Sequence, residues 1–124
     1  TEAAARGADM FDCVMPTRHA RNGSAFTRNG AYPVKAGKYK RDPRPIEEGC
    51  QCPVCRTFTR AYIRHLLNAK EILGVRLLTV HNLHCYMDYM RRMRGAIEAG
   101  AFQEWRREQT ALLRGSEPGR APEE

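Results

Sequence analysis

Apolar and polar residues alternate with changing periods along the chain, and each change marks a predicted element. The opening stretch TEAAARG reads as the last turn of a helix, with Gly7 as its stop. The stretch DMFDCVM, residues 9–15, is apolar with polar interruptions and predicts a buried strand that Pro16 ends. The pair Asn29-Gly30 separates SAFT from AYPVK, which predicts a β-hairpin with a type I′ turn.

Helical spacing dominates the second half of the chain. Residues 57–73 predict one helix with Thr57 or Thr59 as its cap, and a second helix is predicted from about Val80 to Ala99. A stripe of apolar side chains on the second helix is expected to fill the core: Leu83, Met87, Met90, Met93 and Ile97.

The C-terminal residues predict one more helix and a tail. The stretch FQEWRREQTALL, residues 102–113, has the spacing of a short third helix. Residues 114–124 are rich in Gly, Pro and Glu, which predicts a disordered tail.

Length and composition limit the chain to one modest domain. No stretch reaches the roughly 18 continuous apolar residues of a membrane-spanning helix, and the N-terminus does not have the pattern of a secretory signal. The five cysteines are an odd number, so we expect a cytoplasmic protein in which clustered thiols bind metal. Cys13 and Cys85 lie outside any cluster and are expected to be small buried residues.

Positive charge is concentrated in one segment between Pro16 and Pro45. Eight basic residues and the single acid Asp42 give this segment a net charge of +7, which equals that of the whole chain. Such a block indicates a polyanionic partner, most simply nucleic acid, although a solvated loop has the same composition. The basic residues are Arg18, Arg21, Arg28, Lys35, Lys38, Lys40, Arg41 and Arg44.

Three cysteines, Cys50, Cys52 and Cys55, stand within six residues. This spacing directs three thiolates at one point, and zinc needs one more ligand to complete a tetrahedron. A closed site with four protein ligands has no open position, so we expect one structural zinc ion per chain. Reduced thiols without a metal are the alternative.

The spacing of the histidines leaves the fourth ligand open. His65 lies on the helix that follows Cys55, ten residues further along the chain. His81 and His84 open the next helix, whose start a turn around Gly74 would bring back to the cysteines. Ten residues of helical rise carry His65 away from the cysteines, whereas His81 and His84 are both geometrically possible, and spacing does not choose between these two.

Four motifs in this order resemble the bacterial tRNA-guanine transglycosylases, also called queuine tRNA-ribosyltransferases. The motifs are GADMFDCVMPTRHARNG, CQCPVC, RAYIRHLL and EILGVRLLTVHNLHCY, and the resemblance runs from about Ala4 to Trp105. Enzymes of this family exchange the wobble guanine of certain tRNAs for a deazaguanine, in bacteria 7-aminomethyl-7-deazaguanine, on the way to queuosine. They fold as an irregular (β/α)8 barrel with a zinc subdomain near the C-terminus.

The resemblance implies an α/β fold class, in which this chain is the C-terminal fragment of a TIM barrel with an inserted zinc-binding subdomain. Residues 1–17 would hold the end of a barrel helix and the last barrel strand, and residues 18–79 the zinc subdomain with its basic hairpin. Residues 80–113 would form the closing barrel helix and a C-terminal helix, followed by the tail at 114–124. The family's fourth zinc ligand is the His of HNL, which matches His81.

The resemblance also implies which residues react with and bind tRNA. The second Asp of DMFD, here Asp12, is the family's nucleophile, which attacks ribose C1′, displaces guanine and holds the tRNA covalently. A carboxylate can divide a glycosyl exchange into two displacements in this way. Arg18 and Arg21 match arginines that contact the uridines beside the target guanine. The other basic residues up to Arg44 would bind phosphate without reading sequence.

One further stripe of arginines has two interpretations. Arg56, Arg60 and Arg64 recur at four-residue steps and would either extend the basic surface or form a solvated helix face.

The resemblance covers only part of an enzyme. A whole barrel needs roughly 200 residues or more, so the general base and the purine-binding residues would lie upstream of Thr1. We therefore expect the C-terminal portion of a homodimeric transglycosylase that is inactive on its own. The alternatives are a stand-alone zinc module that binds RNA without catalysis, and a purely structural or dimer-forming piece.

Overall fold

The computed structural model of the protein describes residues 1–115, which form six helices and one two-stranded sheet. The elements are α1 Glu2–Ala5, α2 Met15–Arg21, β1 Ser24–Thr27, β2 Gly30–Pro33, a 3₁₀ turn Gly37–Tyr39, α3 Pro53–Thr57, α4 Arg60–Asn68, α5 Ile72–Glu98 and α6 Phe102–Gly115. None of the helices described has both the length and the apolar character that crossing a membrane requires. The described part of the chain is therefore helix-rich with a small antiparallel sheet.

The 27-residue helix α5 is the centre of the fold, because α2, β1, α3, α4 and α6 all pack against it. One core joins α2, the hairpin, the cysteine segment and α4 to the buried side of α5. Its fully buried members include Val34, Ile46, Ile63 and Leu78. Cys52 and Cys55 belong to the same core, so the fold is built directly around the predicted metal ligands.

The turn into α5 lies at residues 69–71, and not around Gly74 as the sequence suggested. Lys70 has a positive φ of 57°, and the amide of Glu71 donates to the carbonyl of Leu66 at 2.9 Å, which closes α4 with a Schellman-type cap. Gly74 lies inside α5, where a Cβ would stand 2.9 Å from Leu66 Cβ and 3.0 Å from the Leu67 amide nitrogen. Gly74 is therefore needed for the close approach of α4 and α5.

The predicted hairpin is present, but its turn is not type I′. Thr27 pairs with Gly30, so the two turn residues are Arg28 and Asn29, and neither has the positive φ that a type I′ turn needs. Gly30 takes the positive φ instead, at 110°, which fits a type I turn followed by a glycine bulge. The Thr27 hydroxyl supports the turn by donating to the Gly30 carbonyl at 2.6 Å.

The segment DMFDCVM is not a buried strand in this structure. Residues 8–14 form no helix or strand, and Met10 is 88% exposed. Residues 1–115 offer no strand beside this segment, so neither backbone pairing nor burial is available to it. Pro16 does not end a strand but lies in the first turn of α2, and Cys13 is exposed rather than buried.

The predicted helices are present with different bounds. The stretch 57–73 is divided among the end of α3, the whole of α4 and the start of α5, with Thr59 as the cap that accepts from the Tyr62 amide. The predicted boundary between residues 79 and 80 falls within α5. Helix α6 confirms the third predicted helix and includes Arg114 and Gly115, which the sequence assigned to the tail; residues 116–124 lie outside the described part.

The apolar stripe expected in the core faces outward in this structure. Leu83, Met87 and Ile97 are 44%, 61% and 53% exposed, whereas Met93 is buried. The opposite side of α5 is buried and includes the polar residues His81 and Asn82. The expectation that this stripe fills the core is therefore wrong for Leu83, Met87 and Ile97. The other face is buried instead, because its polar side chains have hydrogen-bond partners in the interior.

Candidate metal centre and nucleic-acid surface

The cysteine segment is shaped by a turn and a helix cap. Gly49 has a φ of +81°, a conformation that glycine adopts without a Cβ penalty, and it precedes Cys50. Cys52 is the N-cap of α3, and its sulfur accepts the Cys55 amide at 3.3 Å. Pro53 occupies the first helical position, where no amide hydrogen is needed. The cap places Cys52 and Cys55 on the same side of the segment.

Helix α5 brings His81 to the three cysteines. Its Nδ1 lies 3.8 Å from Cys50 Sγ, 3.5 Å from Cys52 Sγ and 3.3 Å from Cys55 Sγ. All four potential ligand atoms lie within 4.8 Å of one another. In a tetrahedron with Zn–S bonds of about 2.3 Å and a Zn–N bond of about 2.0 Å, sulfur and nitrogen are about 3.5 Å apart. The cluster therefore has the donors and the spacing that a four-coordinate metal ion requires.

The ring of His81 is oriented by a hydrogen bond on its far side. Nε2 donates to the backbone carbonyl of Phe26 at 2.7 Å, and His81 is fully buried. Because Nε2 carries the proton, Nδ1 presents its lone pair to the sulfurs. A backbone carbonyl that fixes the tautomer in this way is a common outer partner of metal-binding histidines.

The three thiols share protons unequally. The hydrogen bond from the Cys55 thiol holds the pKa of Cys52 at about 3, and the same bond raises the pKa of Cys55 above its usual range. Burial raises the pKa of Cys50. Three sulfurs this close together, two of them buried, do not all ionise without a cation between them, so metal binding would release protons from this cluster.

Of the other candidate ligands, neither His65 nor His84 belongs to the cluster. His65 is exposed on α4, and His84 lines an open cleft of about 250 Å³ with Arg28, Glu47 and Asp88. Cys85 borders the same cleft, and burial raises the pKa of its thiol to about 12. The structure thus selects His81 from the alternatives that spacing left open.

Asn82, the neighbour of His81, is a fully buried polar residue that sequence reasoning missed. Its side-chain amide donates to the carbonyls of Pro16 at 3.1 Å and Ser24 at 3.0 Å. Its Oδ1 accepts the amide of Phe26 at 2.9 Å. The signal in the sequence is an Asn in the middle of a long helix, where it has low intrinsic preference and needs a specific partner.

The predicted tRNA-facing residues lie at the surface. Asp12 is exposed in the segment before α2, and its carboxylate has no hydrogen bond or ion pair within residues 1–115. Arg18 and Arg21 are one turn apart on the exposed side of α2 and are likewise without a side-chain partner in the described residues. The structure does not bring these three residues into contact with the metal cluster.

The basic block divides into residues with partners and residues without. Arg28 pairs with Asp88 at 3.3 Å and Arg44 with Asp42 at 2.8 Å. The hydrogen bond from Arg44 lowers the pKa of Asp42, whose side chain is only 8% exposed. Four further cations of the block are exposed, and their side chains have no hydrogen bond or ion pair within residues 1–115: Lys35, Lys38, Lys40 and Arg41. Of these, Lys38 lies over the ring of Tyr39, 5.1 Å from its centroid.

Two members of the predicted arginine stripe have structural partners instead of a free face. Arg60 donates to Asp42 at 3.2 Å and to the Pro45 carbonyl at 2.8 Å, and Arg64 donates to the Ala36 carbonyl at 3.0 Å. These contacts hold the loop between β2 and α3 against α4. Arg56 alone of the three remains exposed.

Comparisons with known proteins all point to one family. The family model described as queuine tRNA-ribosyltransferase matches residues 1–114. A queuine tRNA-ribosyltransferase of Syntrophobacter fumaroxidans is 60% identical over 101 residues, which cover 82% of this chain and 27% of that protein. Proteins of the same name from a Janthinobacterium species (strain Marseille) and from Neisseria meningitidis serogroup C are 59% and 57% identical over 80% and 82% of this chain, covering 26% and 27% of their own lengths.

The similarity is confined to part of these relatives. The chain spans about a quarter of the length of the curated relatives that it matches. The range matched by the family model, residues 1–114, contains the Cys₃His cluster, the segment around Asp12 and the exposed arginines of α2. The chain belongs to the queuine tRNA-ribosyltransferase family.

Proposed function

We propose that this chain is the C-terminal part of a cytoplasmic tRNA-guanine transglycosylase, which exchanges the wobble guanine of tRNA for 7-aminomethyl-7-deazaguanine. The observation that carries the proposal is the family match over residues 1–114 together with a complete Cys₃His cluster in the same chain. The complete enzyme would contain this chain, an upstream barrel with the pocket for the base, and a second subunit. The outward apolar face of α5 is suited to packing against that barrel.

A zinc ion bound by Cys50, Cys52, Cys55 and His81 would be structural. Four protein ligands complete a tetrahedron and leave no position for substrate, so the ion would supply cross-linking of the fold rather than chemistry. The ligands connect the loop after β2 with α5, and their outer partner Phe26 adds β1. Metal binding would thus hold the basic segment on the helix core.

Asp12 would be the nucleophile of the exchange. Its carboxylate oxygen would form a bond to ribose C1′ while the bond from C1′ to guanine breaks and guanine leaves with the electron pair. The incoming deazaguanine would then attack C1′ and release Asp12, which restores the enzyme. The exposure of Asp12 and the absence of a partner for it within the described residues support this role.

The arginines of α2 would place the anticodon loop. Arg18 and Arg21 are exposed one turn apart, and within residues 1–115 their side chains have no partner, so both guanidinium groups are available for splayed bases beside the target. Lys35, Lys40 and Arg41 would bind the phosphate backbone, with an affinity that falls as salt rises. Binding and reaction would therefore use adjacent segments of the chain.

The deciding experiment replaces Asp12 by Asn in the complete enzyme. An amide cannot form the glycosyl ester, so exchange of labelled guanine into tRNA and the covalent adduct on a denaturing gel should both be lost. Non-covalent tRNA binding should survive, because it depends on the cations. Asp9→Asn is the matched control, since Asp9 is also an exposed acid of the same segment and should retain exchange. An adduct that persists in Asp12→Asn would refute the nucleophile.

The second candidate is a zinc module that binds RNA without catalysis. The exposed cations that have no side-chain partner within residues 1–115 favour it equally. It predicts salt-sensitive binding of any RNA by the 124-residue chain and no change in RNA chemistry in any context. Exchange activity in the complete enzyme that depends on Asp12 would exclude it. Exchange by the 124-residue chain alone would instead contradict the placement of the purine pocket upstream.

A further inference from the structure

Asn82 uses its whole side chain to join three elements. From its place on α5 it bonds the Pro16 carbonyl in the first turn of α2, and it also bonds the backbone of Ser24 and Phe26 in β1. The side chain is fully buried, so its loss takes the hydrogen-bond partner away from three backbone groups in the interior. Every polar atom of the amide therefore has a partner that a hydrophobic residue would leave unsatisfied.

Phe26 links this connection to the metal cluster. Its backbone amide donates to Asn82 and its carbonyl accepts from His81. Two consecutive residues of α5 therefore bond the same residue of β1. Its ring lies 4.9 Å from that of His19 on α2 and 5.7 Å from that of Tyr86 on α5. The backbone of Phe26 thus connects β1 with α5, and its ring lies between α2 and α5.

Helix α2 has one side that is buried against α5 and one side that is exposed to solvent. Pro16 and Ala20 are buried, and α2 packs against α5 more extensively than any other helix does. Arg18 and Arg21 project from the exposed side, on either side of His19 in the chain. A seven-residue helix is too short to be stable alone, so its orientation depends on these tertiary contacts.

We infer that Asn82 is a positioning residue, which fixes α2 on α5 and so aims Arg18 and Arg21 at the tRNA. The inference rests on the proposed function, because that function gives the two arginines their ligand. Asn82 bonds α2 directly at the Pro16 carbonyl. Asn82 and the proposed metal ligand His81 also bond the backbone of Phe26, whose ring contacts His19 of α2. The role belongs to the Asn82 side chain and is separate from metal binding, since its amide contacts none of the cysteines.

The test uses Asn82→Ala in the complete enzyme, with Thr79→Val as the matched control. Thr79 lies on the same helix and its hydroxyl donates to the Val75 carbonyl at 2.7 Å, so the control loses a hydrogen bond that stays within α5. Amide hydrogen exchange is followed in peptides that cover residues 14–22 and 50–58, together with zinc content. We expect the rate of amide hydrogen exchange in residues 14–22 to rise about tenfold in Asn82→Ala and not in the control. The rate in residues 50–58 and the zinc content should be unchanged.

The kinetic readout separates positioning from general damage. The KM for tRNA should rise about tenfold in Asn82→Ala, whereas kcat and the KM for guanine should stay within about twofold. In the double variant with Arg18→Ala, the rise in the KM for tRNA should be smaller than the product of the two separate rises. The reason is that Arg18 contributes less to tRNA binding once α2 is misplaced. If Asn82→Ala does not fold, Asn82→Ser is read by the same measurements.

The outcomes divide clearly. The inference is overturned if amide hydrogen exchange in residues 14–22 is unchanged in a folded, zinc-loaded Asn82→Ala. It is also overturned if amide hydrogen exchange rises uniformly over the whole chain. Additive effects with Arg18→Ala overturn it as well. If Arg18→Ala leaves the KM for tRNA unchanged while residues 14–22 loosen in Asn82→Ala, the tRNA role of α2 fails and the placement of α2 by Asn82 stands.

Discussion

The two sides of α5 behave as opposites. On one side lie Leu78, His81 and Asn82, which are buried against the cysteine segment, α2 and β1. On the other side a stripe of large apolar residues is exposed, and at 100° per residue it spans about 120° of the helix surface. The stripe consists of Ile72, Leu73, Val80, Leu83, Met87 and Ile97. We call the first side the closed face and the second the open face.

The contrast shows that burial depends on partners and not on the polarity of a side chain. The closed face buries an imidazole and an amide because each polar atom has a hydrogen-bond partner. The open face leaves Leu and Met in solvent because nothing in residues 1–115 covers them. An exposed apolar surface of this extent is typical of an interaction site. In our proposal, the upstream barrel is the partner that this face requires.

The largest expected effect is the loss of metal from the closed face. Binding of a structural zinc ion contributes about 10–16 kcal/mol in small zinc-binding peptides, which is comparable with the whole stability of a typical domain. Cys52→Ala should therefore release the ion and unfold residues 24–58. Metal analysis and hydrogen exchange on the zinc-loaded chain measure both results.

Cys85→Ala is the control for metal loss. Cys85 borders the same cleft as Cys50 but is not part of the cluster, so this variant should keep one zinc ion per chain. Full zinc occupancy in Cys52→Ala would contradict the assigned ligand set. Loss of zinc in both variants would show that the closed face depends on packing as much as on ligands.

The sequence predicted the closed face better than the open one. The cysteine spacing and the family resemblance at HNL led to the Cys₃His cluster, and the Asn29-Gly30 pair led to the hairpin, because these signals are local or motif-specific. Asn82 was missed, since its three partners come from α2 and β1 and only the folded chain brings them together. The strand predicted at residues 9–15 failed for the related reason that a strand needs a neighbour.

A pair of truncations measures the difference between the faces directly. Ile63 is fully buried on α4 against the closed face, so Ile63→Ala should cost about 2–5 kcal/mol of unfolding free energy. Met87 is 61% exposed on the open face, so Met87→Ala should change stability by no more than about 0.5 kcal/mol. Urea unfolding of the zinc-loaded chain, with the slope checked for each variant, gives both values.

The same two variants, Ile63→Ala and Met87→Ala, also test the difference between the two faces in the complete enzyme. If the barrel covers the open face, the cost of Met87→Ala should rise there to more than about 1 kcal/mol, while the cost of Ile63→Ala should stay the same. Equal costs for the two variants in the 124-residue chain would remove the distinction between the faces. An unchanged, small cost of Met87→Ala in the complete enzyme would show that the open face has another partner or none.

The smallest expected effect concerns the turn that leads from α4, which packs against α5, into α5. Lys70 occupies a left-handed conformation with a φ of 57°, which costs a residue with a Cβ about 1–2 kcal/mol. Glycine avoids that cost but loses about 0.5–1 kcal/mol through the greater freedom of the unfolded chain. Lys70→Gly should therefore stabilise the chain by about 0.5 kcal/mol, measured as a shift in the urea midpoint without a change in slope. Lys70→Ala keeps the Cβ and should have little effect, so an equal gain in both variants would mean that the charge of Lys70, and not its backbone conformation, limits the stability of this turn.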